Sequence, residues 1–183
     1  MQCEDISKSM LKRVRKLQHD VNRDLAPVGL QPNNAQYGCA VAALYKREHS
    51  RSIISVPTGK GKSRIIAAVV NLAVLQQVAD KFTIVYSSEL LKSVDQRNYE
   101  LLATLLRVEI RQVVFDKEQG LGNQVEQDRF LLIDEADFIL IDNVQTVHNQ
   151  RVVGLSATAF TGEFAQESLH LRSQRFKVLE SNM

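Results

Sequence analysis

Two short stretches carry the residue types that phosphate chemistry needs. "SVPTGKGKSR" at 55–64 contains Gly61-Lys62-Ser63, the second half of the G-x-x-x-x-G-K-[ST] phosphate cradle, with Val56 where the first glycine would stand. The triplet alone is a weak signal, since about one chain in ten of this length would carry G-K-[ST] by chance. "FLLIDEADFIL" at 130–140 places Asp134 and Glu135 at the end of an apolar run. Transfer of a phosphoryl group asks for a lysine on the β- and γ-phosphates, oxygen ligands for Mg²⁺, and a base that aims the attacking water. Lys62 supplies the first, Ser63 and Asp134 the second, and Glu135 the third. Backbone N–H groups from Thr58 through Gly59, Lys60 and Gly61 would face the phosphates at a helix N-terminus. The plain alternatives are a basic turn for the first stretch and an acidic helix cap for the second.

The surrounding elements favour the cradle. "SIISV" at 52–56 reads as a short buried strand leading into it, and "SRIIAAVVNLAVLQQVA" at 63–79 as the helix leaving it. Further strands are predicted at 82–87, 108–115, 129–134, 151–157 and 175–180, with an amphipathic helix over 89–106 and another over 161–171. Residues 116–128 read as a polar loop. Strands alternating with helices predict an α/β domain, a parallel sheet flanked by helices, and near-continuous apolar runs such as "FLLI" predict burial on both faces. Carboxylates at the end of a strand lie where open α/β sheets bind ligands. The reading requires the Lys62 loop and the Asp134–Glu135 pair to come from adjacent sheet positions.

Upstream, Met10, Leu11, Val14, Leu17, Val21 and Leu25 recur at helical spacing over 6–25, surrounded by Lys8, Lys12, Arg13, Arg15 and Lys16 as a solvated basic face. Pro27 and "GLQPNN" break that helix, which divides the chain into an extension over 1–28 and a nucleotide-binding domain over 29–183, opening with a helix near 34–45. The chain has 183 residues, 44% hydrophobic and 24% charged, a globular balance with no apolar run of the about 18 residues that a membrane span needs. Its net charge of +2 neither demands nor excludes nucleic acid. Cys3 and Cys39 cannot build a disulfide framework, and with no apolar leader at the N-terminus they suit a reducing compartment, the cytosol or the nucleus. His19, His49, His148 and His170 lack metal-ligand spacing, and Arg64 reads as a surface residue of the helix.

Asp134-Glu135-Ala136-Asp137 spells the signature of the DEAD-box proteins, and "GLSAT" at 154–158 resembles the third motif of superfamily 2 helicases. "PTGKGKS" is similar to that family's cradle, which often lacks the first glycine, and "GLQPNNAQ" at 29–36 resembles its glutamine motif. The resemblance runs from about Gly29 to the C-terminus and implies the first RecA-like domain of a helicase or translocase. It implies ATP and Mg²⁺ as cofactors, Gln36 on the adenine edge, and Asp137, Ser156 and Thr158 coupling the nucleotide to the polymer. The polymer implied is nucleic acid, RNA ahead of DNA.

"YSSELLKS" at 86–93 matches the strand-binding motif at Ser88, Glu89 and Leu90 but lacks its arginine. "DEADFILIDNVQT" and "SVDQRNYELLATLLRVEI" look like parts of SecA, the polypeptide-translocating ATPase, although the short interval after the DEAD segment leaves no room for its large insertion. A SecA-like motor and a non-catalytic nucleotide-binding scaffold are the alternative readings. The chain ends at "RFKVLESNM", where a linker to a second RecA-like domain would begin, and no later arginine finger is present. The resemblance then implies slow ATP hydrolysis by this domain alone, with the second domain supplied in cis or in trans.

Overall fold

The computed structural model describes residues 2–44, 51–149, 151–157, 174 and 176–180. A long helix α1 (Gln2–Leu25) and a short 3₁₀ turn (Ala26–Val28) precede α2 (Asn34–Leu44). Then come β1 (Arg51–Ser55), α3 (Lys62–Leu75), β2 (Lys81–Tyr86), α4 (Glu89–Leu106), β3 (Glu109–Val114), a short α5 (Leu121–Gln124), β4 (Phe130–Asp134), a π-helix (Asp137–Asp142), β5 (Val152–Ser156) and β6 (Lys177–Glu180). All pairings are parallel, in one six-stranded sheet of order β3-β2-β4-β5-β1-β6.

Burial on both faces follows from the two-residue period of the strands. Ile54, Phe82, Ile84, Tyr86, Phe130, Leu132, Val153 and Leu155 face a core shared with α1, α2, α3 and α4. Their neighbours Ile53, Val85, Leu131, Ile133 and Val152 face the other core, filled by Leu121, Val125, Ala136, Ile139, Leu140, Ile141, Val147 and Phe176. Helix α3 is apolar around its whole circumference, buried from Ile65 through Ala73, because it lies on the sheet and is itself covered by α1, α2 and α4. Val21 and Leu25 of α1 are buried in that same core.

Several local features differ from the sequence reading. Helix α3 ends at Leu75, not near 79, and Gln77 just beyond it has a left-handed backbone with φ 55°. The polar stretch 116–128 contains α5, which places Leu121 in the core beneath β4. Residues after the DEAD segment wind as a π-helix, which keeps Ile139, Leu140 and Ile141 inside. The helix expected over 161–171 lies outside the described residues.

The larger correction concerns sheet order. β1 and β4 are not adjacent, because β5 lies between them and pairs with both. Gly154 of β5 stands opposite both Ile53 of β1 and Ile133 of β4. A Cβ there would meet that of Ala136 at 2.7 Å and Ile53 Cγ1 at 3.3 Å. Ala136 follows Glu135, so glycine at 154 sets how closely the DEAD turn can approach the sheet. Gly154→Ala is expected to destabilise the fold by about 1–3 kcal/mol through overpacking. Urea denaturation would register it as a lower midpoint at unchanged slope.

Candidate nucleotide and metal site

The loop from Pro57 to Gly61 joins β1 to α3 at the C-terminal end of the sheet. It turns back through a bond from Lys60 N–H to the Pro57 carbonyl (3.1 Å) and reaches the helix through Gly59 and Gly61, with φ 78° and 80°. Those angles favour glycine. A Cβ on Gly61 would also lie 2.6 Å from Gln36 Nε2. Gln36 is buried, its Nε2 donating to the Lys60 carbonyl (2.7 Å) and its Oε1 accepting from Asn33 N–H (2.9 Å). Both ends of the amide expected on an adenine edge are thus engaged by backbone, and the side chain buttresses the cradle from behind. Arg64 is exposed beside the loop.

Lys62 opens α3 and crosses to the DEAD turn. Its Nζ donates to Glu135 and lies 3.3 Å from Asp134 Oδ1. The three side chains are 15%, 27% and 10% exposed for Lys62, Glu135 and Asp134. Burial by itself would lower the lysine's pKa; Asp134 and Glu135 outweigh it and hold the ammonium above its ordinary value. Burial acts in the other direction on Asp134, whose carboxyl is raised despite Lys62 and despite accepting from Glu135 N–H at 3.1 Å. Glu135 adopts a left-handed backbone, φ 57°, at the junction of β4 with the π-helix. A non-glycine residue in that region stores strain, and it aims this carboxylate back at the cradle.

Behind Lys62, the Ser63 hydroxyl donates to Asp95 Oδ2 at 2.7 Å, and the Tyr99 hydroxyl donates to the Ser63 carbonyl at 2.8 Å. Asp95, Tyr99 and Leu102 form the buried stripe of α4. Burial raises the Asp95 carboxyl while the Ser63 hydrogen bond opposes the rise. Burial, with the charges of Asp95 and Asp134, raises the Tyr86 phenol, whose hydroxyl donates to Gln112 Oε1 (3.2 Å). Sequence reasoning missed Asp95 and Tyr99. The available signal was a carboxylate on the inward-facing stripe of an amphipathic helix. Ser88 caps α4 by accepting from Leu91 N–H at 3.4 Å, and Leu90 is largely exposed.

The strand between the two loops joins them. Ser156 at the end of β5 is buried, and its carbonyl accepts from Val56 N–H at 2.6 Å, the first peptide of the cradle loop. Asp137 opens the π-helix two residues after Glu135. Thr158 lies outside the described residues. A cavity of about 470 Å³ sits at the opposite end of the sheet, lined by Lys81, Asp128, Arg129, Phe130, His148 and Arg151. It lies away from the carboxyl ends of the strands, where this architecture binds ligands.

The donor set fits Mg²⁺. Ser63 and Asp134 offer oxygen ligands, and Asp95, Asp134 and Glu135 outnumber the one lysine among them. Among the described residues, no group of three His, Cys, Asp or Glu side chains could hold a metal unaided.

Lys62→Ala would leave two carboxylates in the crevice without their cation, at an expected cost of about 2 kcal/mol near neutral pH, less than for a fully buried pair because Glu135 keeps part of its solvent. The sign with pH follows from Asp134. Its folded pKa lies above the unfolded one, so the protonated form suits the fold, and the cost grows as pH rises through the folded value. Without Lys62 that value rises further. The gap between variant and parent should therefore shrink on moving from about pH 7.5 to about pH 5, as read by urea denaturation at each pH.

Residues 7–179 match the family described as type III restriction enzyme, res subunit. No curated protein matches the chain.

Proposed function

Because the chain belongs to the family of type III restriction enzyme res subunits, a helicase-like ATP-binding domain of RecA fold, we propose that it couples ATP hydrolysis to movement along, or remodelling of, nucleic acid. One observation carries this reading: the cradle lysine and both DEAD carboxylates meet at the C-terminal end of the sheet. On this reading Lys62 exchanges its carboxylate partners for the β- and γ-phosphates when nucleotide enters. Thr58, Gly59, Lys60 and Gly61 present backbone N–H groups to the phosphates, and Ser63 and Asp134 hold Mg²⁺. Bound there, the ion would supply positive charge to neutralise the phosphates. Glu135, released by the lysine, orients the water and accepts its proton. Asp137 and Ser156 stand beside Glu135 and Val56, where a change at the nucleotide would be felt by the DEAD turn and β5 together.

Hydrolysis by this chain alone is proposed to be slow. Among the described residues, Asp134 and Glu135 form ion pairs only with Lys62, and no arginine reaches them. An arginine brought to the transferring phosphoryl group contributes about 10³–10⁵ in rate, which a second RecA-like domain in cis or in trans would supply. The name of the matched family directs attention to DNA, and the DEAD-like residues to RNA.

Glu135→Gln should retain ATP binding within about threefold and lower turnover by about 10²–10⁴, as expected on removal of a general base. Binding of a fluorescent ATP analogue and a coupled ATPase assay would measure the two. Equal turnover by variant and parent would overturn the motor reading in favour of a nucleotide-binding scaffold. Running the ATPase assay with duplex DNA, single-stranded RNA and an unfolded polypeptide should show stimulation by a nucleic acid. Stimulation by the polypeptide alone would move the assignment to a SecA-like motor.

A further inference from the structure

We propose that Asp95 is a positioning residue for the metal, fixing the Ser63 hydroxyl so that its oxygen lone pairs face the cation. The inference rests on the reading of the cradle as a Mg²⁺-nucleotide site. A serine hydroxyl has one proton and two lone pairs. With the proton committed to Asp95 Oδ2 at 2.7 Å, the lone pairs remain for a ligand on the other side, and the carboxylate makes that oxygen a better donor.

Anchorage of α4 to the cradle does not need this carboxylate. Tyr99, one turn along the same face of α4, already ties α4 to the Ser63 carbonyl at 2.8 Å through a fully buried hydroxyl. An ionised carboxylate is costly to bury, and Asp95 is only 9% exposed. Its one hydrogen bond to a side chain among the described residues goes to the hydroxyl that the phosphate cradle assigns to the metal. A carboxylate behind a metal ligand orients that ligand and is worth about 10–100-fold in metal affinity when removed.

The test is Mg²⁺ titration of fluorescent ATP-analogue binding to the intact chain, with a parallel measurement in EDTA. Asp95→Asn, nearly isosteric, should raise the Mg²⁺ concentration for half-maximal effect by about 10–100-fold. Binding in EDTA should change less than about twofold, because the phosphate contacts of the cradle do not involve Asp95. Combining Asp95→Asn with Ser63→Ala should add nothing to Ser63→Ala alone, since both act through one hydroxyl. Tyr99→Phe, which cuts the other tie to Ser63, should lower thermal stability without moving the Mg²⁺ requirement. If Tyr99→Phe shifts the Mg²⁺ requirement as much as Asp95→Asn, or if Asp95→Asn leaves it unchanged while Ser63→Ala shifts it, Asp95 is only a strut and the nucleotide reading survives. A parent chain that binds the analogue no better with Mg²⁺ than in EDTA would sink both.

Discussion

A single ammonium group holds the two sides of the crevice together. Lys62, at the start of α3, pairs with the consecutive residues Asp134 and Glu135 at the end of β4, and all three side chains are largely withdrawn from water. Two carboxylates so placed would repel each other, and burial already pushes the Asp134 carboxyl upward. The lysine offsets both effects. On the proposed reading, the same charge balance would make the arrangement exchangeable. A triphosphate with its cation would bring negative charge for Lys62 and positive charge for the carboxylates, so that each group would trade one ionic partner for another without being stranded.

Such an exchange requires a rigid frame, and the sheet provides it through β5. This strand separates the cradle strand from the DEAD strand and bonds to both. At its C-terminal end the Ser156 carbonyl accepts from the first peptide of the cradle loop. Lower down, the missing side chain of Gly154 admits Ala136 against the sheet. The spacing between Lys62 and the carboxylates is therefore set by one interposed strand, and the left-handed backbone at Glu135 brings its side chain back across that gap. The buried amide of Gln36 holds the cradle loop from the opposite side.

The polar groups behind the cradle are arranged by the same economy of burial. Asp95, Tyr86 and Tyr99 are enclosed by α4 and β2, and each hydroxyl has an acceptor: Tyr99 the Ser63 carbonyl, Tyr86 Gln112, and Ser63 itself Asp95. Burying a polar atom is costly unless it is hydrogen-bonded. Satisfying these groups also commits the Ser63 hydroxyl proton to Asp95.

Local pattern was legible from the chain alone. The near-continuous apolar run of "FLLI", the breaker-free apolar run after Lys62 and the order of the motifs determined a parallel sheet flanked by helices and nominated Lys62, Ser63, Asp134 and Glu135. These features are encoded between residues a few positions apart, where side-chain periodicity and turn chemistry act. Tertiary structure alone decided that β5 intervenes between β1 and β4, that Gln36 serves the loop through Lys60, that Glu135 is left-handed, and that Asp95 faces Ser63. Strand order and long-range polar pairing depend on which faces are buried together when distant segments meet. No local period records that choice, and an aspartate such as Asp95 looks the same on a solvated helix until the helix is seen packed over the cradle.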